Sequence, residues 1–91
     1  MTLVQGEYEL INQLGLHARA AAQLVKTANR YKCDVSVESE GQTVNAKSIM
    51  GLLSLAAGVG MRIKVTCDGE GAQDCLQEIQ GLIASRFGEA R

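Results

Sequence analysis

From residue 61 onward, apolar and polar side chains alternate without a break. Met61, Ile63, Val65 and Cys67 fall on one side of an extended chain, and Arg62, Lys64, Thr66 and Asp68 fall on the other. This predicts a strand with one buried face. Cys33, Val35 and Val37 alternate in the same way with Asp34, Ser36 and Glu38. Glu40-Gly41 then supplies a turn before a short strand near residues 42 to 46, which makes a hairpin. Residues 3 to 10 also read as extended. Elsewhere the period lengthens. Ala21, Leu24, Val25 and Ala28 sit at i, i+3, i+4 and i+7, with Arg19, Gln23, Lys26 and Arg30 opposite, so an amphipathic helix is predicted to begin at His17. Ala72, Cys75, Leu76, Ile79, Leu82 and Ile83 form another helical stripe, with Gly88 placed to stop it. Between these, Ser48 opens an apolar segment reaching Ala57, too rich in Leu and Ala for a strand and closed by Gly58 and Gly60. A short helix fits it.

The resulting order is β-α-β-β-α-β-α, an α+β arrangement in which three helices cover one face of a four-stranded sheet. No linker, low-complexity tract or internal repeat interrupts residues 1–91, which are therefore expected to form one domain. A chain of this length buries only about two thirds of its unfolded surface, which disfavours a deep substrate cavity. With 46% hydrophobic and 21% charged residues and no proline, the composition is that of a globular fold.

Charge and residue usage narrow the function. Nine basic residues nearly balance ten acidic ones, and the three aromatics leave little for base stacking. Nucleic acid is not an expected partner. No apolar run approaches the ~18 residues that would span a bilayer and no leader pattern is read, so a cytoplasmic protein without membrane insertion is expected. Cys33, Cys67 and Cys75 form no CxxC, and the single histidine lies at no usual metal-ligand spacing from them. Reduced, buried thiols and no metal or cofactor are expected. Gly58-Val59-Gly60 and Gly69-Glu70-Gly71 lack the full glycine pattern and the following lysine of nucleotide loops, and read as turns.

The chemistry concentrates where Gly15-Leu16 delivers His17 to a helix start. Unpaired N–H groups and the helix dipole favour an anion there, without any metal. An imidazole, with an ordinary pKa of about 6.5, keeps a nucleophilic nitrogen near neutrality where an amine does not. Two residues on, Arg19 can pair with phosphate oxygens in a forked geometry. Spacing alone would still allow His17 to be an ordinary helix-start residue.

The wider string decides otherwise. Gly15-Leu16-His17-Ala18-Arg19-Ala20-Ala21 closely resembles the active-site segment of the HPr family, the histidine-containing phosphocarriers of the bacterial phosphotransferase system. Val44-Asn45-Ala46-Lys47-Ser48-Ile49-Met50-Gly51-Leu52-Leu53-Ser54-Leu55-Ala56-Ala57-Gly58 resembles the family's second signature, at the family's separation from the histidine. The resemblance covers essentially the whole chain and implies an open-faced β-sandwich with an antiparallel sheet. It implies that enzyme I, phosphorylated from phosphoenolpyruvate, donates to Nδ1 of His17 and that a IIA-type domain accepts next. Arg19 would then steady the phosphate, with the Ala18 N–H donating to it. Ala20 stands where many relatives have proline, which adds an N–H to the first helical turn.

Ser48 is first of all an expected helix N-cap. Its surroundings, Lys47-Ser48-Ile49-Met50-Gly51, also resemble the site of HPr kinase/phosphorylase, which implies regulation by phosphorylation. Between Ile49 and Ala57 there are more apolar residues than one helix face can bury. By resemblance, Ile49, Met50 and Leu53 form a docking patch, whereas Leu52 and Leu55 read as core. The leading expectation is a monomeric, stoichiometric phosphocarrier in sugar uptake or a regulatory branch, not an autonomous enzyme. The alternative is a regulatory module in which Ser48 modification governs docking to a transcriptional regulator. A hydrolase using His17 as base is disfavoured, because the motif offers no companion nucleophile.

Overall fold

The computed structural model describes residues 2–91. Its elements are β1 (Leu3–Glu9), α1 (Ala18–Ala28), β2 (Asp34–Ser39), β3 (Gln42–Asn45), α2 (Ile49–Ser54), β4 (Arg62–Asp68) and α3 (Ala72–Ala84), followed by a 3-10 turn at Arg86–Gly88. The strands form one sheet in the order β1-β4-β2-β3, with every neighbouring pair antiparallel. The three helices cover one face, giving the expected open-faced α+β sandwich.

β4, which has the most regular alternation, is hydrogen-bonded on both sides: Val65 lies opposite Gly6 of β1 and Val37 of β2. Its Ile63, Val65 and Cys67 are buried, as its period of two requires. They meet Leu24 of α1, Leu52 of α2 and Ile79 of α3 in a shared core, where each fully buried aliphatic side chain contributes about 1.5–3 kcal/mol. Leu52 and Leu55 are buried as expected. The β2–β3 hairpin turns through Glu40 and Gly41 at φ 52° and 83°; positive values at both positions match the right-handed twist of the strands.

Three boundaries differ from expectation. α1 begins at Ala18, and His17 is its N-cap, with extended φ −79° and ψ −179°. α2 ends at Ser54 and does not reach Ala57, because Ala56 adopts φ 49° and turns the chain away before the glycines. α3 ends at Ala84, ahead of Gly88. There Arg86 and Phe87 both take left-handed backbone, at φ 58° and 53°, while the Phe87 side chain drops into the core at 1% exposure. Burial of the ring offsets a backbone cost of about 1–3 kcal/mol per strained residue. The turn sends residues 88–91 back across the β1–α1 loop, where Gln13 N–H donates to the Arg91 carbonyl at 2.9 Å.

Candidate functional site

The loop before α1 is fixed mostly by backbone. Gly15 N–H donates to the Asn12 carbonyl at 3.1 Å, and the Asn12 side-chain amide donates back to the Gly15 carbonyl at 2.7 Å. Gly15 has φ +63°, and a Cβ there would lie 2.6 Å from the Ala57 carbonyl oxygen, so the position needs glycine on both counts. Next, Leu16 is buried and its N–H donates to that same Ala57 carbonyl at 2.9 Å. His17 is thereby delivered to the helix start, where its carbonyl accepts from Ala21 N–H at 2.8 Å.

What His17 does not do is equally informative. Its side chain makes no capping hydrogen bond, and the first turn of α1 carries no acidic residue. The first-turn N–H groups thus lack a side-chain acceptor at the positive end of an eleven-residue helix, an arrangement suited to an anion.

The imidazole instead contacts Glu89 through Nε2, its side chain 26% exposed and that of Glu89 9%. Asn12, fully buried, donates from Nδ2 to both Glu89 carboxylate oxygens, at 3.3 and 3.2 Å. Partial burial pushes the Glu89 carboxyl up, but hydrogen bonds from His17 and Asn12, the His17 charge and the Leu14 backbone outweigh it and hold the group below the ordinary glutamate range. An ionised carboxylate only accepts hydrogen bonds. Nε2 is therefore the donor, and in the neutral ring this tautomer leaves the lone pair on Nδ1.

Ala18 and Arg19 occupy the first turn of α1, both exposed, and Arg19 makes no ion pair among the described residues. Arg19 lines a depression of about 440 Å³ with Gln13, Leu14, Glu89 and Arg91. A larger depression of about 500 Å³, bounded by Leu3, Val35, Val44 and Thr66, shares no residue with it.

Ser48 is the N-cap of α2, and its Oγ accepts from Gly51 N–H at 3.1 Å. Lys47 beside it is tied down, with Nζ donating to the Tyr31 carbonyl at 2.8 Å. Ile49 and Met50 are exposed, at 41% and 76%. Leu53, the third residue of the expected patch, is half-buried and packs against the core, so Ile49 and Met50 are its more exposed part.

Comparison with known proteins bears directly on this geometry. The sequence pattern described as the phosphorylation site of the phosphotransferase-system HPr component matches residues 4–85. The chain belongs to the HPr family. The phosphocarrier protein HPr of Cupriavidus necator is 42% identical over 87 residues, covering 96% of this chain and 98% of that protein. A solved HPr from Thermoanaerobacter tengcongensis superposes with a TM-score of 0.93 at 38% identity, over 97% of this chain and 99% of the other. A dimeric HPr structure from the same organism matches with a TM-score of 0.77 at 40% identity, over 90% and 94% of the two chains. HPr proteins are phosphocarriers of the phosphotransferase system, and this chain shares that role at the level of the family. Among the described residues, no helix is long and apolar enough to cross a membrane.

Set beside the HPr motifs, the fold brings together His17, Ala18 and Arg19 and leaves Ser48 at a separate helix start. Sequence reasoning missed Asn12 and Glu89. An asparagine three residues before a glycine is a recognisable turn signal, but Glu89 reaches His17 across 72 positions with no local pattern to announce it. The three cysteines are free and buried, as expected, and the fold also gathers them, which their sequence spacing does not announce.

Proposed function

We propose that His17 is the phosphoryl acceptor and donor of this HPr-family chain, reacting through Nδ1. Phospho-enzyme I supplies the group and a IIA-type domain receives it. The observation that carries this reading is the Glu89 contact to Nε2, which in the neutral ring leaves Nδ1 as the nucleophilic nitrogen at an uncapped helix start. In the transfer, Nδ1 forms a bond to phosphorus as the donor's bond to that phosphorus breaks; delivery repeats the exchange with the acceptor's nucleophile. Glu89 holds the Nε2 proton and balances the positive charge that grows on the ring. The Ala18 N–H donates to a phosphoryl oxygen, and Arg19 pairs with the developing negative charge without attacking. The protein acts stoichiometrically, in the cytoplasm and as a monomer, and turns nothing over on its own. Incubation with enzyme I and phosphoenolpyruvate should place acid-labile phosphate on the original protein and on Ser48→Ala, and none on His17→Ala. Label relayed by His17→Ala at the original rate overturns the reading.

Ile49, Met50 and the half-buried Leu53 serve as the docking surface for these proteins. Because Met50 is 76% exposed, Met50→Asp should leave the melting temperature unchanged while weakening enzyme I binding about 10-fold, measured by titration calorimetry. Loss of the fold would return Met50 to the core.

A second reading is favoured by the position of Ser48 immediately before that patch. Phosphorylation by HPr kinase/phosphorylase would bring a charge of about −1.5 to −2 to the start of α2 and change which partner docks, a transcriptional regulator among them. Intact-mass measurement after incubation with that kinase and ATP should show one added phosphate that Ser48→Ala lacks; an unmodified original protein removes this reading.

A further inference from the structure

Three thiols far apart in sequence converge on one point. Cys33 precedes β2, Cys67 lies in β4 and Cys75 lies in α3, and their Sγ atoms are all within 4.8 Å of one another. All are buried, at 1%, 0% and 0% exposure. The cluster is remote from the phosphorylation chemistry: Cys67 pairs with Val4 near the start of β1, whereas the loop bearing His17 follows that strand's other end.

Each cysteine alone is accounted for as a small apolar core residue. That account does not predict that three separate elements should each contribute a sulfur to the same place. The donor set is three sulfurs, with no histidine or carboxylate joining them among the described residues. Zn(II) in structural sites takes four donors in a tetrahedron, and hard cations take oxygen. Three soft sulfurs suit a thiophilic ion of low coordination number. For a metal–sulfur bond of about 2.3 Å, a trigonal ion places its sulfurs about 4.0 Å apart. From pairs already within 4.8 Å, side-chain adjustment below 1 Å closes the site.

We propose that Cys33, Cys67 and Cys75 bind a single Cu(I) ion. Cu(I) forms bonds to the sulfurs, the thiol protons it displaces pass to solvent, and the metal keeps its oxidation state. Entry runs through the Gly69–Gly71 loop. A Cβ at Gly69 would lie 3.3 Å from the Cys33 Cα, so this loop packs against Cys33, and its outer side lines a depression of about 430 Å³ with Thr2 and Asp74.

The test is anaerobic titration of the folded protein with Cu(I) held by the coloured chelator bicinchoninate. The protein should withdraw one copper per chain, gain near-ultraviolet sulfur-to-copper absorption and keep its far-ultraviolet circular dichroism. His17→Ala should behave identically. Cys33→Ala and Cys75→Ala, each checked for the native dichroism, should lose about 10-fold or more in affinity; should one of them fail to fold, the other, together with Cys67→Ala, decides. The proposal is overturned if the folded protein withdraws no copper, if folded cysteine variants withdraw it equally well, if uptake requires loss of the native dichroism, or if Zn(II) displaces Cu(I) at equal concentration.

Discussion

α1 and α2 start in opposite ways. Ser48 closes the mouth of α2, its hydroxyl oxygen taking the Gly51 N–H, so that end is satisfied from within. His17 stands in the equivalent place on α1 with the same extended backbone, yet offers its helix no side-chain acceptor and turns its ring to Glu89. A serine cap is worth about 1 kcal/mol to a helix, and α1 forgoes it. Its stability comes instead from burying Ala20, Ala21, Leu24 and Ala28, a face that does not depend on how the first turn is satisfied. One helix start is thus spent on stability, and the other is left without a side-chain acceptor, as the proposed transfer of an anion requires.

The largest expected effect comes from making the two starts alike. His17→Ser should abolish phosphoryl relay while leaving stability within about 1 kcal/mol of the original, because the new cap offsets the lost Glu89 contact; denaturant unfolding beside a relay assay checks both. Gly15→Ala should cost about 2–3 kcal/mol, since it forces a side chain into left-handed backbone and 2.6 Å from the Ala57 carbonyl; a urea midpoint unchanged from the original would show the loop to be soft. Ser48→Ala should cost about 1 kcal/mol with relay intact, and slower relay would mean that the capped start also takes part in transfer. The smallest effect concerns pH. The Glu89 carboxyl is depressed below its usual 4.5 in the folded protein, so the tie it makes to His17 and Asn12 contributes fully above that value and is lost as pH falls through the lower folded value. Amide exchange at Gln13 and Leu14 should accelerate in that acid window, and Glu89→Gln should remove the acceleration.

Much of this arrangement was legible from residue order. The alternation in β4 and β2 and the stripe of α1 identify those elements because one buried face imposes a single period on each. The strand order was not legible from pattern, since pairing β1 with β4 joins distant segments; it followed from resemblance to HPr proteins. The end of α2 was misplaced because Ala56 adopts the backbone that a glycine usually signals. The end of α3 was misplaced because Phe87 accepts the same backbone in order to be buried. At the site, His17, Arg19 and Ser48 announce themselves through local motifs, whereas Glu89 becomes meaningful only once the chain has folded back on itself. Counting apolar residues on a short helix says that something is exposed, not by how much: Met50 stands far out, Ile49 less so, and Leu53 is half-buried.

The shared Ala57 carbonyl has a last consequence. It receives the Leu16 amide one residue before the histidine, and it lies just beyond α2, so the proposed docking surface and the proposed reactive nitrogen are tied through one backbone hydrogen bond. On the proposed function, a donor and a recipient that both use this tie would each have to place a reactive atom at the same spot over the imidazole, with contours that match.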